Sequence, residues 1–427
     1  VAATLGAVLT TVLVSGCAGG PAVTANGNLR GSRLEVLAVW SGAEQQHFER
    51  VLHAFERQTG ASISYVPAGH SVPDFLQARL TAGRPPDVAF LPQPGLLRQY
   101  VRAHLLVPLD GIAGAVVEDN YDPVWQRLGS VGGKLYGVWF KAANKSLIWY
   151  NVGVFERAGV VPPTDLDGLI SLARTFAAAG TTPFSVGGAD GWTLADWFEN
   201  LYLRLVGPAG YDLLAEHRIG WTDPSVKAAL RLLATVLAPR FIAGGPRGAV
   251  ATTYEESVKR TFATPPAAAM VFEGDFVAAL INGETRSELG VDADVFPFPT
   301  IGQYGPTVVS GGDAAVLMRR SPAGEAFIRY LASPQAAAIW AAQGGFVSPN
   351  INLDLSVYPD EISRSIARSV LEAGDEFRFG LSDLEPASFG GTEHQGMRKI
   401  LQDFLISRDV NATAARLEAA AARAFAP

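Results

Sequence analysis

The apolar positions of the chain change period in a regular order. Residues 34–40 form a short apolar run that predicts a strand. Phe48, Val51, Leu52 and Phe55 then fall at i, i+3, i+4 and i+7, which predicts one buried face of a helix stopped by Gly60. A strand over 61–66, a helix over 72–82 and a strand over 87–91 follow. Strands alternating with helices at this spacing predict a parallel sheet covered on both faces, whose ligands sit beyond the carboxyl ends of the strands. That rule puts Trp40, Ser41 and Gly42, with Pro92, Gln93 and Pro94, at the edge of a candidate site, although Trp40 reads equally well as core. Ser41 with Glu44 has the spacing of a capping box, and the helix start leaves N–H donors open.

The pattern changes between 134 and 159. Two β-rich apolar runs, 135–140 and 147–150, are separated by a polar break at 141–146, and a short helix then ends near Gly159. A break between two apolar strands suits a passage from one folded body to another, where ligand sites are common. Helical spacing dominates afterwards: Leu166, Leu169, Ile170 and Ala173, capped by Thr164 and Asp167; a helix opened by Gly191 and Trp192; and starts at Asp223-Pro224, Ser321-Pro322 and Ser333-Pro334. A strand over 267–272 leads into Glu273-Gly274-Asp275-Phe276. The chain returns in an extended stretch at 295–300, and 308–314 reads as strand, glycine turn and strand. The tail from 359 is mostly helical.

Composition narrows the function. At 427 residues the chain is too long for one ordinary core. Hydrophobic residues make up 48% and charged residues 18%, which excludes wholesale disorder. The net charge of −7 and the absence of a basic stripe argue against nucleic acid as a partner. The sequence has no Walker A motif, no HExxH, no GxSxG and no convincing histidine spacing for a metal, so no cofactor is expected. Residues 1–14 are small and apolar, as in a signal peptide, and Val14-Ser15-Gly16-Cys17 resembles a bacterial lipobox. Cys17, the single cysteine, is thus the expected lipidation site on residues 1–17, with 18–33 as a flexible tether.

The run from Lys134 to Gly159, with Pro85-Pro86-Asp87-Val88, Pro92-Gln93-Pro94-Gly95 and Phe140-Lys141, resembles the bacterial extracellular solute-binding proteins of sugar-importing ABC systems, of the maltodextrin-binding type and nearest to α-glucoside binders. The resemblance spans about residues 40 to 346. It implies an α/β fold of type II with two discontinuous lobes, a hinge and an interlobe cleft. The lobes are expected at 34–140 plus 296–331 and at 141–295 plus 332–427. It further implies an oligosaccharide ligand, ABC permease subunits as partners, a monomer, and a lipid anchor on the extracytoplasmic face of the cell membrane.

Sugars need aromatic faces and planar polar groups. Rings in glycine-rich or proline-rich loops are the candidates for stacking: Trp40, Phe140, Trp192, Phe276 and Phe346. The resemblance places Gly274-Asp275-Phe276 as the stacking segment, with Glu273 and Asp275 flanking the turn, and puts Gly312 and Asp313 in the cleft. Lys141 at the crossover is a donor or a partner of these acids. Glu273, Asp275 and Asp313 are also numerous enough to supply a glycosidase carboxylate pair, which keeps an enzyme as the alternative. A polyol or a glycerophosphodiester is the alternative ligand.

Overall fold

The first short extended runs become strands β1 (Arg33–Ala38), β2 (Ser62–Pro67) and β3 (Val88–Leu91), parallel to one another with β1 in the middle. The structure is a computed structural model describing residues 28–304, 307–392 and 394–426, so Cys17 and the lipobox lie outside the described residues. The expected tether ends sooner than predicted: Leu29 packs on the core and its N–H bonds to the carbonyl of Thr59 at 3.0 Å.

A small ladder of β4 (Ser130–Val131) and β5 (Lys134–Leu135) precedes β6 (Gly137–Asn144) and β7 (Leu147–Asn151). Further strands are β8 (Phe184–Ser185), β9 (Met270–Phe272), β10 (Ala293–Pro297), β11 (Val309–Leu317) and β12 (Arg378–Phe379). The first sheet has the order β12-β11-β3-β1-β2, with β6 also paired to β11. It is mixed rather than parallel, because β11 runs antiparallel to both β3 and β6. The second sheet has the order β10-β7-β9-β8.

Two differences from the sequence pattern shape the site. The polar residues after Phe140 do not break the strand. They stay in the ladder because residues 310–313 of β11 pair with 141–144 of β6, so the passage between sheets shrinks to Lys145 and Ser146. Likewise, no turn interrupts Val309–Leu317. Gly311 and Gly312 are extended, and a Cβ at Gly312 would stand 2.3 Å from the carbonyl oxygen of Lys141. Glycine here allows two backbones to approach closely, with a register shift at Asp313.

Each sheet carries its own core. Around the first, Trp40, Phe48, Phe90, Phe140 and Trp340 form one aromatic cluster, with the rings of Trp40 and Trp340 4.7 Å apart. The second is built from β7, β9 and the helices Leu166–Ala178, Trp192–Ala215, Pro224–Val236 and Gly396–Ser407. The helices Pro334–Ala341 and Glu361–Ala373 belong to the first core, although 332–427 was expected in the second lobe. Ala336, Ala337 and Trp340 form an apolar face buried in the first core. Similarly, β10 at 293–297 pairs with β7 and so stays in the second body.

Caps differ from the pattern in two places. Asp165, not Thr164, caps the helix Leu166–Ala178, accepting from the N–H of Gly168. Ser41 makes no side-chain cap, and Glu44 is drawn instead to Lys141. The chain passes between the bodies at 145–146, between β10 and β11, and after β12, where the helix Leu381–Leu384 packs on both Trp192–Ala215 and Pro94–Arg102. Three passages constrain the bodies to a hinge motion rather than a free tumble.

Candidate functional site

The passage residue Lys145 and the β6 residue Lys141 anchor a cavity of about 130 Å³ between the two bodies. Its first wall comes from Trp40 at the end of β1, Glu44, Gln93, and Gly312 and Asp313 of β11. Facing them are Trp192, Tyr254, Phe276, Asp383 and Arg398.

Strand alternation decides which residues of β6 reach the cavity. Lys141 points to it, and Phe140, one residue earlier, points into the first core, where its ring lies 5.4 Å from Phe346. Phe346 stacks on Trp340 at 5.0 Å, so Phe140 and Phe346 support the wall from behind and do not line it. Ser41 and Gly42 are exposed and off the cavity. Glu273 and Asp275 are buried beside it. Asp275 Oδ1 accepts the N–H of Asn144 at 2.8 Å and so fixes the end of β6, while the Glu273 carboxyl faces the Lys145 network. Of the sequence candidates, the cavity therefore brings together Trp40, Gln93, Lys141, Trp192, Phe276, Gly312 and Asp313.

Two buried ammonium groups organise the charges. Lys141 Nζ pairs with Glu44 and lies 5.7 Å from the Phe276 ring centre and 5.2 Å from that of Trp340. Lys145 Nζ lies 3.2 Å from both Asp196 Oδ1 and Asp383 Oδ2, and 5.7 Å from the ring centre of Trp192. Burial opposes both charges, but the surrounding carboxylates outweigh it and raise both lysine pKa values. On the acids, burial dominates. It pushes Asp313 up to about 7 against the pull of Lys141, and Asp275 up to about 6. Asp196, Glu199 and Glu273 are raised as well, chiefly by burial.

The raised acids give stability a definite pH dependence. Asp275 and Asp313 keep their protons in the folded protein at pH values where the unfolded chain, with carboxyls near 3.8, has lost them. Folding therefore takes up protons, and stability is lost as pH rises from about 4 to about 7. Urea melts across this window are expected to show falling midpoints with rising pH. A flat or rising series would contradict the burial of these groups.

Several polar atoms lining the cavity make no hydrogen bond among the described residues: Arg398 Nη1, Gln93 Oε1 and the hydroxyl of Tyr254. Buried polar groups are normally satisfied, so atoms like these around one cavity mark where a polar ligand bonds. The rings of the aromatic wall pack on one another, with Trp192 and Tyr254 ring centres 5.3 Å apart and Tyr254 and Phe276 5.4 Å apart.

Glu44, Lys145, Tyr254, Asp383 and Arg398 also line the cavity, although they are not among the sequence candidates. Lys145 had a visible signal, since it lies in the same polar break as Lys141. Glu44 has the spacing of a helix cap, which hides its pairing with Lys141. Asp383 and Arg398 lie in a helical tail; Arg398 flanks the buried stripe Met397, Leu401 and Phe404 and is itself only 5% exposed.

Residues 40–338 match the family model for the bacterial extracellular solute-binding proteins, and the chain belongs to that family. It is 32% identical over 401 residues to the osmoprotective compounds-binding protein GgtB of Synechocystis sp., covering 91% of this chain and 93% of the relative. It is 31% identical over 379 residues to the alpha-glucosides-binding periplasmic protein AglE of Rhizobium meliloti, covering 85% and 82%. Among solved structures it resembles the bacterial solute receptor AcbH, described with a preference for b-D-galactopyranose, at a TM-score of 0.81 and 21% identity over 93% of this chain and 98% of that one. RafE in complex with raffinose matches at a TM-score of 0.76 and 17% identity, over 92% and 100%. These likenesses confirm the two-lobe α/β solute-binding fold. Among the described residues there is no cluster of metal-ligating side chains and no helix long and apolar enough to cross a membrane.

Proposed function

We propose that the cavity captures a short, neutral, hydroxyl-rich glycoside, an α-glucoside by preference, and that the loaded protein hands it to the permease of an ABC importer. In this reading the chain acts as a monomer held at the extracytoplasmic face of the membrane through a lipid on Cys17. The observation that carries it is the pairing of four aromatic rings with unpartnered polar atoms from both bodies around one small cavity. Ring faces suit the C–H faces of a sugar, and carboxyls suit its hydroxyls, at about 1.5–3 kcal/mol for each bond to an ionised group. Contacts to both bodies favour the closed arrangement over an open one.

The charges argue against the other ligand classes. A phosphodiester needs cationic help, yet the lining ammonium groups are already matched by Glu44, Asp196 and Asp383, which leaves the Arg398 guanidinium to face a cavity that also carries Asp313. A quaternary ammonium needs bare ring faces, yet Lys141 and Lys145 lie over Trp40, Phe276 and Trp192. Nor does the site suit hydrolysis, because Glu273 and Asp275 do not line the cavity with Asp313, and Glu44 and Asp383 are tied to lysines instead of flanking a scissile bond. The small volume and the osmoprotectant specificity named for the Synechocystis relative support a second reading, a glycosylated small polyol.

Calorimetry against α-linked disaccharides, glycosyl polyols, glycerophosphodiesters and amino acids tests this. Binding is expected among the neutral glycosides. Binding confined to a charged solute would remove the sugar reading, and release of free sugar from a bound glycoside would replace it with an enzyme.

A further inference from the structure

A second cavity, of 510 Å³, lies on the other side of the passage, between the helix Glu361–Ala373 and strand β10. Arg204 of the helix Trp192–Ala215 forms part of its wall and is only 1% exposed. The guanidinium has three acceptors, none of them charged. Nη1 donates to Asn200 Oδ1 at 2.9 Å and to the Asn200 carbonyl at 3.3 Å, and Nη2 donates to the Thr307 carbonyl at 2.7 Å. The ring of Phe298 lies 4.8 Å from its central carbon.

Burial alone pulls the Arg204 pKa down, to about 9, with no carboxylate acting against it. A buried cation without a counter-charge is costly, so such groups are normally paired. Arg204 Nε makes no hydrogen bond among the described residues, and neither does the buried hydroxyl of Thr307 on the same cavity. The cavity carries three acids: Glu361 and Glu372 are exposed, Glu361 pairing with Arg364, and the half-buried Asp294 of β10 accepts from the hydroxyl of Tyr150 at 3.1 Å.

We infer that this cavity is a binding site for a small monovalent anion, a halide or a simple carboxylate, held by Arg204 Nε and the hydroxyl of Thr307. The class follows from the geometry. A single buried guanidinium supplies one positive charge, and the cavity's acids disfavour a dianion such as phosphate. The site adjoins the hinge. Asn200, which accepts from Arg204, also accepts from the hydroxyl of the passage residue Ser146 at 2.6 Å. The inference is independent of what the interlobe cavity binds.

Bromide diffraction on crystals of the native chain tests the site directly. An anomalous peak within hydrogen-bond distance of Arg204 Nε is expected, and its absence at saturating bromide would overturn the inference. In solution, chloride or formate is expected to raise the melting temperature of the native protein more than that of Arg204→Met in the same salt series. The apparent anion affinity should fall about tenfold or more, the size of one charge-assisted hydrogen bond. Thr307→Val, which keeps the guanidinium and its packing, is expected to weaken the anion effect while leaving solute binding unchanged, so the test survives if Arg204→Met does not fold. Equal salt responses in native protein and Thr307→Val, with no bromide peak, would show that no such site exists.

Discussion

Lys145→Met is expected to abolish measurable solute capture and to lower stability at neutral pH by about 3–5 kcal/mol, the usual cost of removing one partner of a buried ion pair. Lys145 Nζ sits 3.2 Å from Asp196 and from Asp383, and Glu199 and Glu273 add to the same field. Without the ammonium these carboxyls share a buried space with no charge to balance them. The ligand wall also loses the cation that lies over Trp192. The destabilisation should shrink as pH falls, because protonation neutralises the same acids, and adding Asp196→Asn should restore part of the lost stability. Denaturant melts of the two variants measure this; a loss well under about 1 kcal/mol for Lys145→Met would mean that the cluster is not held by this lysine.

Gly95→Ala is expected to weaken solute binding by about a hundredfold or more while leaving both cores folded. A Cβ at position 95 would stand 2.0 Å from the carbonyl oxygen of Glu385, a backbone atom that cannot swing aside. This contact joins the helix Pro94–Arg102 of the first body to the segment after β12, which packs on the helix Trp192–Ala215 of the second. The same junction is fastened by Gln93 Nε2 donating to the carbonyl of Gly391 at 3.1 Å and by Arg98 donating to that of Leu384. Wedging it open separates the wall of Gln93 and Asp313 from the wall of Trp192 and Arg398. The ligand then loses the bonds that one body supplies, and two such bonds to charged groups account for the expected factor. Calorimetry gives the affinity and a thermal melt checks the fold; unchanged affinity would show that this junction does not govern closure.

Much of the architecture was legible because local pattern and tertiary role agreed. The alternating elements from 34 to 91 and the Asp223, Ser321 and Ser333 starts all describe real caps and faces. The pattern failed where a partner strand overrode it. Lys141 and Asn144 look like loop, yet pairing with residues 310–313 makes them strand, and the glycines of β11 serve that pairing. The division of the tail was illegible for a related reason. An amphipathic helix such as Pro334–Ala341 shows that it has an apolar face but not which core covers that face. At the site, the aromatic candidates Trp192 and Phe276 announced themselves by their glycine-rich surroundings, whereas Trp40 is both core and lining. Asp383 and Arg398 become site residues only because the third passage carries the tail back across the cleft, and pairing at that range leaves no local trace.

Small-angle scattering with and without the best neutral glycoside from the calorimetric panel tests the two-body grip most directly. The loaded protein should give a smaller radius of gyration and the unloaded protein a larger one. Identical profiles at saturating ligand would contradict capture by closure of one body on the other.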